Sequence, residues 1–202
     1  SITFGGTTIR HSYCEKVDIK TIGNVTSMKN MFYNCLSLQS VPLFNTGNVT
    51  SMANMFQYCQ SLQSVPLFNT TNVTSMYSMF ANCYSLQSVP LFNTSNVTIM
   101  SNMFNSCSSL QSVPLFFTAN VTSMFNMFRD CSSLQSVPQF KTGNVTNMGG
   151  MFANCFSLNF IPPIYTEAIT SDFTAFANNS NSLNQILMNF NRTVALQNCQ
   201  LS

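Results

Sequence analysis

Six cysteines, Cys35, Cys59, Cys83, Cys107, Cys131 and Cys155, stand 24 residues apart, with Cys14 and Cys199 outside the series. Evenly spaced thiols can pair as disulfides, hold a metal or act as nucleophiles. A disulfide needs Cβ atoms about 3.5–4.5 Å apart. Stacked coils sit about 4.8 Å apart with equivalent side chains pointing the same way. The spacing therefore predicts a buried ladder of free thiols behaving as small hydrophobes. Cys14 and Cys199 lie near opposite ends and are not expected to meet. Metal binding lacks raw material, since there is no Cys-x-x-Cys and His11 is the only histidine. No serine or cysteine has an evident base partner. The acids are Glu15, Asp18, Asp130, Glu167 and Asp172. Glu15 and Asp18 lie among Arg10, His11, Lys16 and Lys20, a solvated face, and the three aspartates are too scattered for a calcium cage. No enzyme, cofactor or metal is expected.

A second series is Asn-Val-Thr, at Asn24, Asn48, Asn72, Asn96, Asn120 and Asn144. The triplet is an N-glycosylation acceptor. One glycan per coil, about 4.8 Å from the next, would be too crowded for full occupancy. A stacked Asn and Thr ladder satisfying turn backbone is the expected role.

Both series mark one 24-residue unit, N-V-T-S-M-x-x-M-F-x-x-C-x-S-L-Q-S-V-P-L-F-N-T-x, written six times without a slip. A fixed period of this length means coils that cannot bury a core alone and stack to share one. In the second copy the core candidates are Val49, Met52, Met55, Phe56, Cys59, Leu62, Val65 and Leu67. Residues 62–68 (LQSVPLF) read as a strand, although Pro66 cannot donate to a ladder and shortens it. Residues 52–62 (MANMFQYCQSL) carry apolar residues at helical spacing, a short α or 3-10 turn. Residues 48–52 alternate like a second short strand. The column Phe44, Phe68, Phe92, Phe116 and Phe140 reads two ways: outward beside the prolines as an apolar stripe, or tucked in by a turn.

The expected fold is an α/β or mostly β repeat solenoid of about eight coils, near 38 Å long at ~4.8 Å per coil. Residues 1–23 read as a hairpin around Gly5-Gly6 plus a half-repeat cap, 24–167 as six repeats, and 168–202 as a decayed repeat, with Asn179 in the cysteine place, and a closing cap. Charged residues make up only 6% of the 202 and the net charge is +2 with no basic run, so no nucleic-acid partner is expected. No apolar run approaches the roughly 18 residues of a membrane span. Beginning at Ser1 without a signal pattern, the chain reads as a mature protein or a piece of a longer one.

The motif M-x-x-M-F-x-x-C-x-S-L preceded by N-V-T-S-M, over about residues 14–183, resembles the BspA-like leucine-rich-repeat surface proteins. The resemblance implies a right-handed solenoid displayed outside cells, at a cell or virion surface, that works in adhesion and protein–protein binding. It carries over no catalytic residues and no ligand.

Letters that change between copies lie between the methionines, before the cysteine and after it. Helical spacing places them on the solvent side, rich in Tyr, Asn, Ser and Gln, a palette of aromatic anchors and adaptable hydrogen bonders. The candidate binding residues are Tyr33, Tyr58, Tyr77, Tyr84, Phe125, Arg129 and Asp130. Three functions follow: an adhesin or receptor-binding module for a protein or glycan, of a bacterium or a phage fibre; a solenoid that self-associates into a fibre through its Phe and Pro columns; and an ice binder using the threonine column Thr26, Thr50, Thr74, Thr98, Thr122 and Thr146. The near-invariant Gln-Ser-Val-Pro face is a further candidate for a periodic ligand.

Overall fold

The structure, a computed structural model, describes residues 2–4, 7–9, 24–165, 168, 176–180 and 185–189. The half-repeat cap over 14–23, His11, Cys14 and Cys199 lie outside the described residues. Strands β1 (Ile2–Phe4) and β2 (Thr7–Ile9) pair antiparallel, with Ile2 opposite Ile9. Strands β3 (Phe160–Tyr165) and β4 (Gln185–Asn189) pair parallel, with an irregularity between Ile161 and Ile164. Pro162 and Pro163 fall at that break and have no N–H for a ladder.

Between these strands the 24-residue unit builds a solenoid. Its parallel ladder runs through single-residue bridges, Ser27 to Ser51 to Ser75 to Ile99 to Ser123 to Asn147. The ladder thus runs mainly on the Asn-Val-Thr-Ser-Met segment. The strand expected over 62–68 does not form in that coil, although the same column bridges Ser136 to Phe160 and becomes β3 in the sixth coil. In that stretch Leu62, Val65 and Phe68 point inward, an interval of three, while Leu67 is 60% exposed. Pro66 explains the shift: its ring fixes φ near −65° and favours a polyproline-like path with three residues per turn. Leu67 is therefore not a core residue, and the phenylalanine column takes its place inside.

The expected helical turn over 52–62 is also not a helix, and none occurs among the described residues. Met55, Gln57 and Cys59 donate backbone N–H groups three residues back, closing separate turns. Alternate groups, on Asn54, Phe56 and Tyr58, reach the next coil at Tyr77, Met79 and Ala81, at 2.8–2.9 Å. Turns closed three residues apart mimic helical spacing in sequence but leave every second N–H free to join the coils.

The core is a set of columns. Phe32, Phe56, Phe80, Phe104, Phe128 and Phe152 stack nearly parallel with centroids 5.2–5.7 Å apart. The second column, Phe68, Phe92, Phe116 and Phe140, packs against the first at 6.1–6.3 Å. The stack ends where Phe176 meets Phe152 edge-on at 89°.

Candidate functional site

The thiol column is structural. All six in-register cysteines are buried, and Cys59, Cys83, Cys107, Cys131 and Cys155 are free thiols. Each Sγ from Cys59 to Cys155 donates to a phenylalanine carbonyl of the preceding coil, Cys59 to Phe32 and Cys155 to Phe128, at 3.0–3.1 Å. Burial, which disfavours a thiolate, pushes the thiols of Cys83, Cys107 and Cys131 well up and that of Cys155 to about 12. In the decayed repeat Ser180 Oγ makes the same bond to Phe152 O at 2.7 Å. Ser180, not Asn179, holds the cysteine place. Phe176 keeps the 24-residue step from Phe152, and one extra residue after it shifts the rest. A hydroxyl in the thiol's place shows that the column needs a small donor. Among the described residues no group of His, Cys, Asp and Glu could hold a metal.

The Asn-Val-Thr ladder is also internal glue. Asn72, Asn96, Asn120 and Asn144 donate Nδ2 to backbone carbonyls of the coil before, at 2.7–2.8 Å. Thr50 donates both its N–H and its hydroxyl to Thr26 O, and Thr74, Thr98, Thr122 and Thr146 repeat the pattern.

The turn face carries the candidate residues. Tyr33, Tyr77, Tyr84 and Phe125 are each about 40% exposed. Tyr58 is half-buried, and its ring meets Tyr33 edge-on at 5.6 Å. Tyr84 donates its hydroxyl to Asn82 Oδ1 at 3.4 Å. Arg129 and Asp130 form an ion pair at 3.4 Å, and Asp130 also accepts from Asn154 Nδ2. Tyr33 and Tyr58 are brought together; no ring contact joins Tyr77, Tyr84 or Phe125 to another candidate among the described residues.

Two of these letters answer to the backbone. Asn30, Asn54, Ser78, Asn102, Asn126 and Gly150 form one column with φ between 51° and 62°. Asn34, Tyr58, Asn82, Ser106, Asp130 and Asn154 form another with φ between 60° and 66°. In this left-handed region Cβ crowds the following carbonyl, so Gly, Asn and Asp are favoured. The second letter of each variable pair is thus constrained by its turn and not free to drift, as helical spacing had implied. At Gly150 a Cβ would also clash with Asn126 Oδ1.

Another exposed face escaped sequence reasoning. Leu43, Leu67, Leu91 and Leu115 stand 59–68% exposed in one line. Beside them Phe117 is exposed, with Lys141 Nζ 5.8 Å from its ring centroid. In earlier coils that column is Asn45, Asn69 and Asn93, whose Oδ1 accepts the N–H two residues on. The signals were legible: Pro66 before Leu67, and LFFT and QFKT where LFNT is the rule.

Residues 4–114 and 85–190 match a family described as Mycoplasma protein of unknown function, DUF285. Among curated proteins none matches. Among solved structures, a leucine-rich repeat protein from Eubacterium ventriosum aligns at 20% identity and a TM-score of 0.58, over 86% of this chain and 44% of its own. A leucine rich repeat protein of T. pallidum aligns at 24% identity and a TM-score of 0.46, over 64% of this chain and 58% of its own. A leucine rich cell surface protein from Faecalibacterium prausnitzii aligns at 17% identity and a TM-score of 0.33, over 84% of this chain and 78% of its own. The chain spans less than two thirds of the first two proteins, and the Eubacterium alignment supports a leucine-rich-repeat fold. With matches running from residue 4 to residue 190, the chain belongs to the DUF285 family, here built as a leucine-rich-repeat solenoid.

Proposed function

We propose that this solenoid is a non-enzymatic recognition module, displayed at a cell or virion surface in the manner of BspA-like proteins, that binds a protein partner through its turn face. One observation carries the reading: Tyr33, Tyr77, Tyr84 and Phe125 lie exposed on a scaffold whose buried columns barely change. Exposed rings on rigid backbone bind at low conformational cost. Besides Lys29, the ion pair of Arg129 and Asp130 supplies the charge on this face. A glycan ligand is the second form of the same reading.

The test uses fluorescently labelled protein on a panel of intact bacterial and eukaryotic cells. Bound protein should fall after protease treatment of the cells, whereas loss after periodate treatment would make the ligand a glycan. Tyr77→Ser with Tyr84→Ser should weaken binding roughly tenfold or more, about 1.4 kcal/mol. Serine already occupies both columns, at Ser101 and Ser108, so the fold should persist. Unchanged binding by the folded double variant would remove this face as the site. Ice binding is disfavoured, because each threonine hydroxyl from Thr50 to Thr146 gives its hydrogen to the preceding coil.

A further inference from the structure

Opposite in character to the turn face is the surface made by Gln, Ser, Pro and Leu of each coil. Gln39, Gln63, Gln87, Gln111 and Gln135 are all exposed, as are the serines that follow them. None of these ten side chains makes a hydrogen bond among the described residues. Their backbone does no unusual work either, since none has a positive φ. Yet all four letters repeat unchanged through the first four coils; in the fifth Gln139 replaces leucine, and in the sixth Asn159, Phe160 and Pro163 replace glutamine, serine and leucine. Recent duplication alone does not explain this, because another exposed column of the same coils has diverged, through Lys29, Tyr77 and Phe125.

We infer that this face pairs with the same face of a second copy of the chain, in an isologous dimer with coils running antiparallel. Every side chain on it complements itself. Leucine packs on leucine, and a glutamine amide or a serine hydroxyl both donates and accepts. No charge opposes the approach: the charged residues of 24–165 are Lys29, Arg129 and Asp130, outside these columns, and Lys141 at the ridge's end. A twofold axis across the ridge sets each column against its own copy and sends the two Lys141 residues to opposite ends. A periodic ridge also needs a partner of equal period to fill all its notches, and a second copy has it. The dimensions fit a modest interface. Seven extended residues at about 3.1 Å each, across five coils at about 4.8 Å, make roughly 500 Å² in projection and more in accessible area. Stable interfaces use about 800 Å² per partner, so the dimer should be reversible.

Sedimentation velocity on the whole chain, over a concentration series without any ligand, tests this. A reversible monomer–dimer equilibrium is expected. Leu67→Gln with Leu91→Gln should weaken pairing at least tenfold, and Gln139 shows that a coil accepts glutamine there. Gln87→Glu places two carboxylates at the centre of the paired face; it should weaken the dimer at neutral pH and restore it below about pH 4.3, where glutamate is protonated. Tyr77→Ser with Tyr84→Ser should leave pairing unchanged. Because no ligand is present, failure here leaves the turn-face reading standing, and the reverse holds too. A chain monomeric at every soluble concentration, or one that oligomerises equally with the leucine and glutamate variants, overturns the inference.

Discussion

The turn face and the Gln-Ser-Pro-Leu face are both exposed, and they differ in how repetition shapes them. On the turn face the letters change, but two of the five variable columns change only within Asn, Asp, Ser, Gly and a single tyrosine, because the backbone there is left-handed. On the other face no residue is left-handed, and the letters hold through four coils. Variation between copies is therefore a poor guide to freedom until the local conformation is known. An unvarying, unpartnered side chain points outside the coil, to something it meets.

Substitutions can break that comparison, beginning beneath both faces. Phe80 lies between Phe56 at 5.5 Å and Phe104 at 5.7 Å. Phe80→Ala should cost about 3–5 kcal/mol in chemical denaturation, as deletion of a buried ring does. A loss below about 1 kcal/mol would mean the columns do not carry the array.

The thiols come next. The folded pKa values of Cys83, Cys107, Cys131 and Cys155 are raised by burial, so above about pH 8.5 the unfolded chain releases thiol protons that the folded chain keeps. Stability is therefore fully present below that pH and falls as pH rises, by up to about 1.4 kcal/mol per pH unit for each such thiol, until the folded thiol itself ionises, at about 12 for Cys155. Melting temperatures between pH 7 and pH 10 give the measurement, and a flat profile would mean the thiols are not sealed.

Smaller again is the contrast within one turn. Asn102 has φ 57° and Asn105 has no positive φ, while both are half-buried. Asn102→Val should cost about 1–2 kcal/mol, since a branched side chain is strained in the left-handed region. Asn105→Val should stay within about 0.5 kcal/mol. Equal costs at the two positions would remove the backbone explanation of the turn-face alphabet.

Much of this was readable from the letters. The unslipped step from Cys35 to Cys155 and the Met and Phe columns predicted stacked coils and a hidden thiol ladder, because identical layers leave identical residues in register. Two elements misled for one reason: turns and polyproline-like segments place every third residue inward, close to helical spacing and far from strand alternation. Met52, Met55, Phe56 and Cys59 thus looked helical, and Val65 with Leu67 looked like a strand face. Asparagine gave a usable clue that was passed over. Its recurrence at Asn30, Asn54, Asn102 and Asn126, with glycine at Gly150, is what a left-handed column requires. Contacts such as Tyr33 on Tyr58 depend on which coil edge a ring leans across, and no single coil encodes that.

The most direct test of this division is a substitution scan of positions 78, 82, 87, 88 and 91 in one central coil, read by thermal stability. Ser78 and Asn82 have φ of 51° and 63°, whereas Gln87, Ser88 and Leu91 are exposed and unstrained. β-branched residues at 78 and 82 should lower the melting temperature by several degrees, while polar substitutions at 87, 88 and 91 should leave stability within about 0.5 kcal/mol of the parent. Valine tolerated at 78 and 82, or unfolding when Leu91 becomes glutamine, would contradict that division.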